Sequence, residues 1–338
     1  MNWKFFWRLN AHIQLAPLLE SGEETLIGGQ AVMEGVMMRA PHSYCVSVRK
    51  ANGEIVSETA PLAKISDVYP IFKYPVIRGL GTLGQAMKLG MKALKFSADV
   101  QLSEESDKKQ NEANPESVAK KKGPTEIPAW AMAAQLGFSL LFFIVLYKFV
   151  PLWLTEQLKA QYPILEGRIM FNLVDGIIRI AIFLVFLYGI SRAKDIRRVF
   201  QYHGAEHKVV FNYESGQPVN VANAQSFVTF HPRCGTSFLI VVMLLSMVLY
   251  MFLPFDTMLG KFLARIALLP VVAGLSYELI RFAAKNKGSL LTILAMPGLW
   301  LQRITTQPPD DQQAEIAIHA LQGAMELEKS QGGPLVIA

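Results

Sequence analysis

The sequence predicts an α-helical membrane protein: about four transmembrane helices, a re-entrant or interfacial segment, and a small N-terminal cytoplasmic α+β region containing a β-hairpin. Three observations carry this. The chain is 51% hydrophobic and only 18% charged, where an ordinary soluble domain has about a quarter of its residues charged. Four stretches, roughly 128–154, 172–191, 236–254 and 262–284, are long and apolar. A hydrocarbon core about 30 Å thick takes about 20 helical residues. Finally, basic residues collect in the 191–235 loop, with Arg192, Lys194, Arg197, Arg198, Lys208 and Arg233, whereas the 155–171 loop has Lys159 and Arg168 and the 255–261 loop only Lys261. Basic loops stay in the cytoplasm. The 191–235 loop and, with four spans, both termini are therefore expected there, as in a multi-pass protein of a bacterial inner membrane.

Residues 1–26 read as a tail. MNWKFFWRLNAHIQLAP is interrupted by charge and has no apolar run of signal-peptide length, so no cleavable signal is expected. Residues 27–100 form the α+β region. In it Tyr44, Val46 and Val48 alternate with Cys45, Ser47 and Arg49, Asn52-Gly53 supplies a turn, and Glu54-Ile55-Val56 starts the return strand. The preceding run, IGGQAVMEGVMMRAP, has glycines that suggest tight turns or close backbone approach, and lacks the lysine or third glycine of a nucleotide loop. Glu34 there pairs locally with Arg39 or faces the histidines described below. A helix over roughly 76–97 follows. Its apolar stripe is Leu80, Leu83, Met87, Met91 and Leu94; Lys88, Lys92 and Lys95, with Gln85, make a cationic one. It either lies on anionic lipid or packs on the α+β region.

Residues 101–127 are polar and charged and read as a disordered linker. The bundle spans 128–303. Its fourth stretch carries Arg265, Glu278 and Arg281, which point it inward. SLLTILAMPGLWLQR at 289–303 is short and interrupted by Pro297-Gly298, hence the re-entrant or interfacial assignment. Residues 304–338 open with Pro308-Pro309 and Asp310-Asp311, which suit a helix start; Ile316, Ala320, Leu321 and Ala324 give that helix an apolar face.

A net charge of +6 with no basic stripe interleaved with aromatics argues against nucleic acid as a partner; the bilayer and other membrane proteins are the partners expected. Two distant cysteines, Cys45 and Cys234, predict thiols rather than a disulfide.

The chemistry concentrates in QYHGAEHK at 201–208. Ile196, Phe200, His203, His207 and Val210 share one helical face. Gly216 is placed to end this helix, and Asn220 to cap a short one over roughly 221–228. His203, Glu206 and His207 fit H-x-x-E-H, in which histidines one turn apart bind one metal, zinc by preference, and the carboxylate takes a proton from water. A third ligand has two candidate sources. One is Glu278. The other is HPRCG at 231–235, whose His231 and Cys234 with the two helical histidines would make a closed structural site. Without metal, the group is a set of hydrogen-bonded histidines at a helix junction.

Taken together, IGGQAVMEGVMMR, PVIRGL at 75–80, YHGAEHK, HPRCGTSFL and PGLWLQRITTQPPDDQQAEIA at 297–317 resemble the YqhQ-like family of bacterial membrane proteins. That family carries the label of predicted metal-dependent enzyme. The resemblance implies a bacterial inner-membrane protein in which His203, Glu206, His207, His231 and Cys234 occupy the motif positions. Two functions are expected from the residues: a metal-dependent hydrolase with Glu206 as its base, or a non-enzymatic membrane-protein biogenesis or assembly factor with the cluster as a staple. A transporter fits less well, since four spans without an internal repeat are few.

Overall fold

A computed structural model of the chain describes residues 27–63, 65–113, 129–231, 234–285 and 291–330. The expected N-terminal tail, the second half of the expected linker, and Pro232-Arg233 lie outside the described residues.

The α+β region is built on a four-stranded antiparallel meander in the order β1-β2-β3-β4: β1 (Gly28–Val32), β2 (Gly35–Arg39), β3 (Ser43–Arg49) and β4 (Ile55–Pro61). The β3–β4 hairpin turns at Asn52-Gly53 as its sequence requires, with Gly53 at φ 88°. The first hairpin was not anticipated. Its glycines and methionines hide the alternation, and its two-residue turn places Glu34, rather than a glycine, at φ 52°.

Both faces of the sheet are buried. Val32, Met37, Tyr44, Val46 and Val48 pack under the long helix α1 (Ile77–Ala113) through Leu89 and Ala93. On the other face Val36, Met38 and Cys45 meet Ile316, Ala317, Ala320 and Leu321 of the C-terminal helix. Helix α1 corrects two expectations. It docks through Leu89 and Ala93, while Met87, Met91 and Leu94 of the expected apolar stripe are exposed. It also continues through Ala113, into the segment expected to be disordered; the glutamates, glutamines and lysines there are good helix formers even without a core.

The apolar part contains α2 (Ala129–Ile144), a π-helical turn at Val145–Phe149, α3 (Val150–Lys159) and α4 (Arg168–Ile190). Among the described residues two helices are long and apolar enough to cross a membrane, Ala134–Lys159 and Arg168–Ile190. The expected third span is a helix of only 16 residues, α7 (Gly235–Tyr250), roughly 24 Å at 1.5 Å per residue. The expected fourth is broken into α8 (Met258–Ala267) and α9 (Leu269–Lys285), bent by 49°, and counts as a third span only if the pair is one. By length and composition the described residues thus hold two or three candidate spans where four are expected. Helix α10 (Leu291–Thr305) keeps Pro297 inside it, so Pro297-Gly298 does not interrupt the segment as the sequence suggested. It runs along α7 so closely that a Cβ on Gly298 would lie 2.4 Å from Ser237 Cα.

Between α4 and α7 come α5 (Lys194–Glu214) and α6 (Val221–Ser226). Gly216 ends α5 at φ 71°, and the Asn220 side chain caps α6 by accepting from Asn223 N–H at 2.8 Å. The last helix, α11 (Asp311–Ser330), starts in a reciprocal capping box: Asp310 Oδ1 accepts from Gln313 N–H at 2.8 Å and Gln313 Oε1 from Asp310 N–H at 3.0 Å.

Candidate metal centre

Helix α5 is pinned at both ends. Near its start, Glu34 on the β1–β2 turn accepts from the Arg198 guanidinium through both oxygens and from Tyr202 Oη at 3.2 Å. Glu34 therefore pairs with Arg198 rather than Arg39. Farther along, Lys208 is buried and donates to the carbonyls of Gln225 and Phe227, each at 2.7 Å. Burial pushes its ammonium down from the ordinary lysine value. These two contacts hold the segment after α6 against α5. Gly204 lets the segment after α10 approach equally closely, since a Cβ there would sit 2.1 Å from Gln307 O.

Those two neighbouring segments supply the carbonyls that orient the histidines. His203 Nδ1 is 2.8 Å from Thr305 O, and His207 Nδ1 is 2.5 Å from Thr229 O. A carbonyl only accepts, so each Nδ1 carries the proton, and Nε2 holds the lone pair in each neutral ring. His203 Nε2 lies 3.2 Å from Cys234 Sγ, which the Thr236 hydroxyl also approaches at 3.3 Å. One ligand atom each from His203, His207 and Cys234 lies within 4.8 Å of the others. Cys234 sits just ahead of α7, where the chain leaves the 227–234 loop.

Glu206 is 7% exposed, and its Oε2 is 4.0 Å from His203 Nε2. Among the described residues no hydrogen bond reaches this carboxylate. It fits because β1 passes beside it at Gly29, where a Cβ would meet Glu206 Cγ at 2.8 Å. Gly29 is a determinant of the site that sequence reasoning missed; the paired glycines of IGGQ were the available signal.

His231 and Glu278 stand apart from the three converging groups. The His231 ring packs on His207, centroid to centroid 5.5 Å, and on Phe211 at 4.6 Å, with Nε2 3.5 Å from Glu214 Oε2. Its backbone is gripped by Gln302, which accepts from His231 N–H at 2.7 Å and donates to its carbonyl at 2.8 Å. Glu278 Oε1 accepts from Arg78 Nε at 2.6 Å and from Val76 N–H at 3.2 Å, and its other oxygen takes a second Arg78 nitrogen. Its partner is thus Arg78, 200 residues away, not the adjacent Arg281. Both thiols, Cys45 and Cys234, are free.

Comparison with known proteins adds the following. The model of a family described as "Protein of unknown function (DUF1385)" matches residues 74–327. The "Uncharacterized protein YqhQ" of Bacillus subtilis is 33% identical over 306 residues, covering 89% of this chain and 92% of the relative. No solved structure matches.

Proposed function

The chain belongs to the DUF1385 family of YqhQ-like proteins, and we propose that this member is a metal-dependent hydrolase of the bacterial inner membrane, acting at the cytoplasmic membrane face. The observation that carries the reading is the direction of two protons. His203 and His207 both give their Nδ1–H to backbone carbonyls, the outer-sphere arrangement that fixes a metal-binding imidazole. With the Cys234 thiolate they make a three-ligand set that leaves a coordination position open. A spread of up to 4.8 Å among the ligand atoms needs to contract by roughly 1 Å to suit bonds of 2.0–2.3 Å.

Zinc, or another divalent ion, would supply a Lewis acid there and make water acidic enough to lose a proton near neutral pH. The remaining work belongs to the chain. Glu206, without a hydrogen-bond donor of its own among the described residues, takes the proton of the attacking water and returns it to the leaving group. Burial keeps that carboxylate from being satisfied by bulk solvent. The scissile bond belongs to a membrane-protein segment or a lipid-linked molecule. Cytoplasmic placement of the site, in a multi-pass protein, is supported by the basic residues of the 191–235 loop, and both termini share that side with an even number of spans, as with Ala134–Lys159 and Arg168–Ile190 alone. Contact with anionic lipid is supported by the exposed Met87, Met91 and Leu94 beside Lys88 and Lys95 on α1; Lys92 is held instead by Glu58 at 2.7 Å and Tyr44 Oη at 2.6 Å.

A biogenesis or assembly factor with a structural cluster is the second reading, favoured by that same exposed apolar face on α1. One experiment separates the two. Metal is measured by mass spectrometry on the detergent-purified wild type, the His203→Ala/His207→Ala variant and Glu206→Gln, beside hydrolysis of membrane-protein and lipid-linked probes. About one metal per chain, lost in the double variant but kept in Glu206→Gln with hydrolysis abolished, is expected. A folded wild type without metal would overturn the reading. Metal retained with hydrolysis indifferent to Glu206 would favour the staple.

A further inference from the structure

The end of the apolar bundle opposite the His/Cys cluster holds a second polar assembly that the proposed hydrolysis does not use. Asp175 of α4 lies at its centre, fully buried, and its two oxygens accept from Arg179 and from Arg265 Nη1, the latter at 2.7 Å. Arg265 also donates to Asn172 Oδ1 and Arg179 to Ser246 Oγ, each at 2.8 Å. Lys148, from the π-helical turn, donates to Tyr250 Oη at 2.9 Å. The Tyr250 ring is faced by all three cations, Lys148 at 5.3 Å, Arg179 at 5.1 Å and Arg265 at 5.0 Å.

The charges do not balance. Two guanidiniums and the Lys148 amine, each at least nine-tenths buried, surround one carboxylate. Both guanidinium Nε atoms are buried without a hydrogen-bond partner. Buried charge is sustained only by an opposite charge or a full set of hydrogen bonds, and Asp175 supplies one negative charge for the two guanidiniums. A cavity of about 30 Å³ opens onto Arg265 and Tyr250, room for about two waters or a small oxyanion. Its mouth adds Lys159, Arg168 and Lys261 against Glu166 and Asp256. Lys261 is held by Glu156 at 2.5 Å, and Arg168 is 3.6 Å from Asp256. Lys159 has no ion pair among the described residues.

We propose that this cavity is a binding site for a phosphate-type oxyanion, held by Arg265 at its inner end and by the basic rim of Lys159, Arg168 and Lys261. Guanidinium groups with unused N–H donors match phosphate oxygens better than they match a halide. The phosphate belongs either to a free ion or to a phospholipid headgroup. Trp153 and Tyr162, exposed within six residues of the rim residue Lys159 in the chain, are the residue types that sit at headgroup level.

The test uses the full chain in a phosphate-free neutral detergent. Inorganic phosphate binding is titrated by calorimetry. Retained lipid is read by native mass spectrometry after passage through nanodiscs of phosphatidylglycerol and phosphatidylethanolamine. The expected result is one saturable site, for phosphate or for one phospholipid, weakened at least tenfold in Arg265→Gln and in Lys159→Gln. Phosphate binding alone identifies the free ion as the ligand, and a retained phospholipid identifies the headgroup. Should Arg265→Gln fail to fold, Lys159→Gln at the half-buried rim decides. Absence of both kinds of binding in the wild type, or binding unchanged in the folded variants, would overturn the proposal.

Discussion

Gly29 and Glu206 share a space that only one of them can fill: a Cβ on the glycine would lie 2.8 Å from Cγ of the glutamate and 2.7 Å from Met37 O. The first strand of the sheet thus sets the position of the candidate base. Gly29→Ala is expected to push the Glu206 side chain aside and to destabilise the protein by about 1–3 kcal/mol, the usual range for overpacking. Hydrolytic activity should fall while bound metal stays near one per chain. Unchanged activity in a folded Gly29→Ala protein would show that Glu206 needs no such seat.

Cys234 and His231 make opposite predictions. Cys234 Sγ is 3.2 Å from His203 Nε2, whereas His231 Nε2 lies 3.5 Å from Glu214. Cys234→Ser should therefore weaken metal binding at least tenfold, in the range seen even for outer-sphere changes. His231→Gln should keep the stoichiometry. Competition with a chromogenic chelator measures both. Loss of metal in His231→Gln at unchanged fold would restore the closed four-ligand site.

Gln302 is fully buried, and its amide satisfies both backbone groups of His231. Gln302→Leu preserves much of the volume but removes both of these hydrogen bonds, leaving the carbonyl to Cys234 N–H at 3.2 Å, at about 0.5–1.5 kcal/mol for each bond lost. Thermal unfolding in detergent should show a clear drop in Tm, larger than that of Gln225→Leu, which removes contacts to Pro309 and Asp311 near the surface.

Glu328 gives a pH signature. Burial opposes its ionisation, but hydrogen bonds from the His42 ring, the His42 N–H and Ser43 outweigh that and hold the carboxyl below the ordinary glutamate value. A depressed folded-state pKa contributes stability that is present above the unfolded value, near 4.3, and is lost as pH falls through the folded one. Glu328→Gln should lower Tm at pH 7 and flatten the loss of stability below about pH 4.5. Parallel pH–Tm curves for variant and wild type would remove Glu328 as the cause.

Local chemistry was legible in the sequence. The Asn52-Gly53 turn, the Asn220 cap, the Gly216 stop and the histidine face of α5 each depend on neighbours within a few residues, and each is found. Partners far along the chain were not legible. Glu278 binds Arg78, Glu34 binds Arg198, and Cys234 rather than Glu278 meets the histidines, because side-chain charge says nothing about which distant segment the fold brings near. The break in the fourth stretch was not legible either, because hydropathy is blind to geometry. The 262–284 stretch is apolar apart from Arg265, Glu278 and Arg281, yet the chain turns by 49° between Ala267 and Leu269, bringing Arg265 to the buried Asp175. The docking face of α1 was not legible: the pattern marked Met87, Met91 and Leu94 as an apolar stripe open to lipid or to the α+β region, and the smaller Leu89 and Ala93 make the contact with the sheet.

The sheet is covered on its second face by α11, whose Ile316 and Ala320 meet strands nearly 300 residues earlier in the chain. Synthesis runs from the first strand to this last helix. Until α11 is made, Val36, Met38 and Cys45 have on that side only what α5 and α6 bring to the same cluster, among them Tyr202, Ala205, Val209 and Ala224. Closing so long a loop is slow compared with local helix formation. The nascent chain thus has a built-in completion step, in which the apolar helices are already made while the strand that seats Glu206 still lacks its final support. A chain that stalls before residue 311 leaves that sheet face without its α11 cover, a ready mark for holdase chaperones and proteases that survey the ribosome exit.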